Sequence, residues 1–377
     1  MANINRLVTT LDPEIIRARA RNAAPAFLAL YLMSNILVRS FTDIWLFVGW
    51  TALCAGVICG GWSIKRHPVF WGLIALLLFH ALAIPGSLIW GIGNWEFTAG
   101  VLLWMAPAML LYLASDAQRI FVWLIPAFVL HAILVIFEGL THWYLVNDVM
   151  VRQGTNTGLT NNPNLAAGFL AIGIVYLMAS KRPAFQALSV PLLIALLFTG
   201  SRWGILVPVA VIAVMTLSGA IPWKVLAGGI LALFITIIGV GLIGGGYQIA
   251  GYGSIASAFN PIVTDVGVRL AIPHLPTFLP HGVAEHPGLH NVPLRIAVEN
   301  GIIAAGIWIV ITGWALISKD NAQPLYRWLL ITLVLLSVLD YYTWMGHLGG
   351  FWWLLIGLLT KQDYRRNTNH RDFIYKG

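Results

Sequence analysis

Arg202, Arg269 and His290 are the residues of this chain best suited to chemistry on a charged, polar ligand. Arg202 closes the run Thr199-Gly200-Ser201-Arg202 between two apolar stretches. Its guanidinium is planar and permanently charged, and it can grip two phosphate oxygens at once, which a lysine ammonium cannot. The competing use is an arginine that snorkels from a helix end towards water. Arg269 stands in Asp265-Val266-Gly267-Val268-Arg269-Leu270, apolar enough to lie against a membrane, and it offers a second phosphate ligand. Its alternative is an i,i+4 ion pair with Asp265, worth a few tenths of a kcal/mol when exposed. His274, His281, His286 and His290 share that long segment. There is no His-Glu-x-x-His pattern and no neighbouring cysteine, and Glu285 is the one adjacent carboxylate, so no metal and no cofactor is expected. A proton acceptor fits better, because imidazole titrates near neutrality and can take a hydroxyl proton while itself neutral. His290 is the chosen base because it precedes Asn291 at the start of an amphipathic stretch that turns apolar.

Other polar residues have simpler uses beside functional ones. Asn161-Asn162-Pro163-Asn164 sits at the mouth of an apolar run, where Asn164 serves as a helix cap after a proline turn. Asp340, inside another apolar run, either caps it or, buried, pairs with an arginine or orients His290. Trp143, Tyr144, Trp352 and Trp353 lie near the ends of apolar runs, as in an aromatic belt, and carry no expected catalysis. Cys54 and Cys59 fall within one apolar segment and supply neither a disulfide framework nor a CxxC site.

These groups need a scaffold, and composition points to lipid as its solvent. The 377 residues are 59% hydrophobic and 10% charged, with mean hydropathy +0.82, where soluble domains carry about 25% charged residues. A hydrocarbon core needs roughly 17 to 25 apolar residues per helix, fewer where flanking side chains snorkel. About twelve spans result, at 23-39, 44-63, 68-90, 97-114, 120-138, 164-180, 185-200, 203-219, 225-243, 296-317, 326-344 and 348-360. The expected fold is therefore all-α, a polytopic integral membrane protein. Residues 1-22 form a basic interfacial N-terminus in which Asp12 and Pro13 open a short helix, 23-360 form one transmembrane domain, and 361-377 form a basic tail.

The positive-inside rule orients it. Alternate connections hold all but five of the 22 cations, from Arg6, Arg17, Arg19 and Arg21 through Lys65 and Arg66 to the tail. The opposite side receives Arg39, Arg152, Arg202, Arg269 and Arg295, five arginines and no lysine. Both termini are thus expected in the cytoplasm. Long outer loops, 139-163 and 244-295, the second between the ninth and tenth spans, are expected to carry the chemistry. The +8 net charge lies between apolar runs, so membrane lipids rather than nucleic acid are its expected partner. Apolar runs continue to the end of the chain, unlike a cleaved signal peptide.

Several of these stretches, in order, resemble the O-antigen ligase and O-antigen polymerase superfamily of bacterial inner-membrane glycosyltransferases, of GT-C type. The resemblance lies in Asn162-Pro163-Asn164, in Thr199-Gly200-Ser201-Arg202, in Val268-Arg269-Leu270, in His290-Asn291-Val292-Pro293-Leu294 followed by Glu299-Asn300-Gly301-Ile302, and in Asp340 to Trp344. It covers roughly residues 155 to 360. It implies an inverting, metal-independent transfer from an undecaprenyl-diphosphate-linked glycan on the periplasmic face. Arg202 and Arg269 would hold the diphosphate and His290 would activate the acceptor hydroxyl, with Asn164, Asn291 and Asp340 completing the substrate-binding set. The acceptor would be lipid A core, in lipopolysaccharide biosynthesis, or, for a polymerase, another lipid-linked glycan; the compact loop pattern leans towards ligase. Pro280-His281-Gly282-Val283 replaces the family's Gly-x-Gly turn, which leaves His286 as second choice of base. The competitor from another class is a twelve-span transporter or flippase, for which internal repeats and midplane charges on broken helices are expected.

Overall fold

The computed structural model describes residues 13–37, 44, 47–54, 68–90, 106–113, 119–141, 143, 156–160, 162–180, 182–243, 291–317, 324–339 and 348–360. Every regular element among them is an α-helix, so the chain is all-α. We number them α1 (Pro13–Leu37), α2 (47–54), α3 (Pro68–Trp90), α4 (Ala106–Leu113), α5 (Arg119–Thr141), α6 (Pro163–Met178) and α7 (Pro183–Thr199). There follow α8 (Arg202–Leu217), α9 (Trp223–Ile243), α10 (Val292–Asn300), α11 (Ile302–Ile317), α12 (Pro324–Leu339) and α13 (Leu348–Thr360).

Proline sets many of the starts. It is the first residue of α1, α3, α6, α7 and α12, where its fixed φ suits a helix and its missing N–H costs nothing. Gly200, at φ 69°, ends α7 in the left-handed conformation that residues with a Cβ disfavour, and α8 begins two residues later. That tight corner turns the chain at one end of the bundle, and α7 and α8 each pack against α6.

Among the described residues the helices overlap the apolar segments read from the sequence, and two of them differ from that reading. The basic N-terminal segment and the first apolar run are one helix, α1, because the Ala- and Arg-rich stretch before Pro25 is itself strongly helix-forming. The segment 296-317 is split at Gly301, whose φ of 91° and ψ of 158° separate α10 from α11. Among the described residues α5, 23 residues long, is the one helix that passes as long and apolar enough to cross a membrane; α6, α7, α8, α11, α12 and α13 are shorter apolar helices.

Two helices lie inside the others. Every residue of α13 is buried, as is α6 from Leu165 to Met178. A helix apolar on all sides has no face to give to water, so it takes the centre. Phe121, Phe128 and Phe169 surround Phe351, with ring centroids 5.9 to 6.3 Å away. Trp352 stacks on Trp308 of α11 at 5.6 Å and donates its indole N–H to Thr312 Oγ1 at 3.2 Å. The outer helices expose large apolar side chains, including Leu78, Ile133, Leu217, Phe234, Val310 and Ile317.

Alternating helix direction gives the bundle two ends. α5 finishes, and α6 and α8 start, at one of them, the Arg202 end. Leu348, the first residue of α13, packs over Gly168 near the start of α6, and Tyr326 in the first turn of α12 packs on Phe121 in the first turn of α5, so α12 starts at the opposite end and finishes at this one. Arg119, Arg182, Lys224 and Arg327 lie at or within one turn of the starts of α5, α7, α9 and α12, at the opposite end.

Candidate functional site

The Arg202 end gathers polar side chains that the sequence scatters over more than sixty residues. Asn162, not Asn164 as read from the sequence, is the N-cap of α6, because the helix already starts at Pro163; its Oδ1 accepts the backbone N–H of Asn164 at 2.9 Å and of Leu165 at 3.2 Å. Ser201 is the N-cap of α8, its Oγ accepting from Gly204 N at 3.3 Å. The same hydroxyl donates to Asn164 Oδ1 at 2.8 Å, across a sequence separation of 37 residues. Two helix starts are thus bonded to each other. Gly204 makes this approach possible, because a Cβ there would overlap the Cβ of Ala167 on α6. Gly204→Val is therefore expected to part α6 from α8 and to destabilise the fold by about 1–3 kcal/mol, the usual overpacking cost, read as a lower midpoint in thermal unfolding.

Arg202 is the first residue of α8 and half-buried. A cation at a helix N-terminus opposes the helix dipole, whose positive end lies there. The arginine and the positive dipole end of the helix together favour an anion there. The neighbouring start of α6 adds a second positive dipole end.

Residues 156–160 run as a strap over the end of α5. Asn156 Nδ2 donates to the carbonyl of Phe198 in the last turn of α7 at 2.8 Å. Thr157 and Gly158 donate their backbone N–H groups to one oxygen, Glu138 Oε2, at 2.9 and 2.8 Å. Thr160 Oγ1 donates to Thr157 O at 2.8 Å, which closes the turn towards Asn162. Beneath the strap, His131 of α5 is wholly buried, and neither of its ring nitrogens has a hydrogen-bond partner.

A second polar cluster surrounds the α10–α11 break. Asn291 caps α10 through Leu294 N at 3.0 Å, and its Nδ2 donates to Val338 O, at the end of α12, at 3.1 Å. That bond puts the start of α10 at the Arg202 end. Within α10, Arg295 Nε donates to Glu299 Oε1 at 2.7 Å, both side chains being buried. Asn300 meets His80 of α3, Nδ2 to Nδ1, at 2.7 Å.

Of the residues singled out in the sequence, Asn164, Arg202 and Asn291 are brought to one end of the bundle, the first two on directly bonded helix starts. Arg269, His286, His290 and Asp340 lie outside the described residues. Arg295, an arginine on the sparsely charged side, has its use in the pair with Glu299. Sequence reasoning missed Glu138, His131 and His80. Each is a lone ionisable residue in an apolar run, and that signal could have found them. Compared with known protein families and with curated proteins, the chain finds no match.

Proposed function

We propose that the chain is a polytopic membrane glycosyltransferase working on lipid-linked glycans, of the class its motifs resemble. Within that class we read it as O-antigen ligase-like, in the bacterial inner membrane with both termini cytoplasmic, transferring an undecaprenyl-diphosphate-linked glycan to a lipid A core hydroxyl on the periplasmic face. The observation that carries this reading is the 2.8 Å bond from Ser201 to Asn164, which joins two of the resembling motifs beside Arg202 at an anion-favouring pair of helix starts. The exposed apolar side chains on the outer helices support a lipid surround, since soluble monomers rarely show such patches beyond a few hundred Å².

In the proposed reaction the acceptor oxygen attacks the anomeric carbon and forms the new glycosidic bond while the bond to the diphosphate breaks. The acceptor proton goes to His290, and Arg202 with Arg269 takes up the charge of the departing diphosphate. Fixed cations in a site shielded from water stabilise such charge by several kcal/mol. His290→Ala is expected to lower the transfer rate by about 10²- to 10⁴-fold, with donor binding retained. A transfer assay with purified protein and lipid-linked glycan checks it, and an unchanged rate would sink the assignment.

The experiment that tests the reading is complementation of ligase-null and polymerase-null strains, scored by the lipopolysaccharide ladder, with Arg202→Ala as control. A ladder restored in the ligase-null strain and abolished by Arg202→Ala supports the ligase reading; rescue of the polymerase-null strain alone moves it to a polymerase.

The α10–α11 break at Gly301, with the buried Arg295–Glu299 pair beside it, favours a second reading, a transporter or flippase, since transporter sites are built on discontinuous helices. Silence in every strain with the protein present in the membrane, followed by uptake or flipping of a lipid-linked glycan in vesicles, would decide for it.

A further inference from the structure

We infer that Glu138 is a positioning residue for the Arg202 end, acting through the strap 156–160. The inference rests, for its effect on transfer, on the glycosyltransferase reading; for its effect on the strap, it does not. Glu138 is wholly buried at the last turn of α5, and one of its oxygens takes two successive backbone N–H groups, Thr157 at 2.9 Å and Gly158 at 2.8 Å. Gly158 has φ 58°, the left-handed conformation that lets neighbouring amides form a concave anion cradle. Here the anion is the protein's own carboxylate.

Among the described residues this is the strap's one bond to a carboxylate, and bonds to a charged acceptor are shorter and stronger than neutral ones. From it a continuous run of contacts reaches Arg202. Thr160 Oγ1 lies 3.2 Å from the carbonyl of Asn162, Asn162 caps α6, and Asn164 of α6 accepts from Ser201, the residue before Arg202. A second connection goes through Asn156 to Phe198 O, and the Phe198 ring lies so close over Gly139 that a Cβ there would overlap it. Glu138 and Gly139 thus fix, side by side, the strap and the end of α7, whose corner carries Ser201 and Arg202. A buried residue of α5 thus holds in place two helix starts that it does not touch.

The test has an arm independent of activity. Hydrogen exchange of the purified full chain in detergent should show the amides of Thr157 and Gly158 protected. In Glu138→Ala their exchange should rise by about 10- to 100-fold, the weight of losing hydrogen bonds to a charged group. Glu138→Gln, which keeps an acceptor oxygen in place, should restore most of the protection. If Glu138→Ala does not fold, Gly158→Ala serves, because its Cβ would come within 3.0 Å of His131 Cε1 and its φ would be strained while Glu138 stays; it should loosen the same two amides.

In transfer assays with an undecaprenyl-diphosphate-linked glycan, Glu138→Ala should lose up to about 10²-fold in kcat/KM, the scale of an ångström-sized misplacement. The loss should lie in the donor KM with the acceptor KM unchanged, and Glu138→Gln should recover it. Unchanged exchange at 157 and 158 in folded Glu138→Ala would overturn the anchor. Loosened exchange with unaltered donor KM would overturn the positioning role. A wild-type chain inactive towards lipid-linked glycans would instead remove the enzymatic reading, and the exchange result alone would then decide the anchor.

Discussion

Arg202→Ala is expected to reduce kcat/KM for glycan transfer by about 10²- to 10³-fold, the effect of deleting one charge-stabilising donor from a preorganised site. Both donor KM and kcat should suffer, because the diphosphate is negative when bound and more so as it leaves. Arg202→Lys should rescue little. Lysine keeps the charge but loses the planar fork that matches two phosphate oxygens. Stability should not fall with activity, since an arginine at the first position of α8 works against the helix dipole. A chain that melts at the wild-type temperature or above, yet transfers no glycan, is the expected signature. Full activity in Arg202→Ala would remove the proposed diphosphate site.

Glu299→Ala should give the largest loss of stability, about 3–5 kcal/mol, because it leaves the Arg295 guanidinium buried without its counter-ion. The pair sits in α10, a nine-residue helix too short to persist without its packing. Asn300 next to it holds His80 at 2.7 Å, so the loss should spread to the contact between α10 and α3. The double variant Arg295→Met, Glu299→Leu is expected to recover much of the stability, since apolar replacement of a whole buried pair is often neutral. Thermal or denaturant unfolding of purified protein checks both. Equal destabilisation by single and double variants would mean that the pair contributes shape rather than charge balance.

The helices were legible in the sequence because apolar run length, proline at the first position and glycine at the turn are local signals. Pro163, Pro183 and Gly200 mark their boundaries with no knowledge of the neighbours. The kinship of Asn164 with Arg202 was legible through the resemblance of motifs. Its mechanism was not, since nothing local says that Ser201 caps α8 and donates to α6 with the same hydroxyl. The break at Gly301 was hidden for a similar reason. Glycine in an apolar run reads equally as a helix residue, and the turn there follows a tertiary bond from Asn300 to His80. Glu138 carries no local signal of its use, because the two amides that it accepts from lie 19 and 20 residues further along the chain.

The placing of α13 has a consequence for the order in which the chain is made. The segment 348–360 occupies the middle of the bundle, yet it leaves the ribosome after every helix it packs against. Until then Phe121, Phe128 and Phe169 line an unfilled slot, and the earlier helices lack one of their two buried central helices. Closure is a late keystone step, and quality-control proteases that sense exposed aromatic surface have the whole interval of synthesis in which to act. A ribosome that slows or stalls before residues 348–360 emerge would lengthen that exposure, so the yield of this protein depends on α13 out of proportion to its thirteen residues.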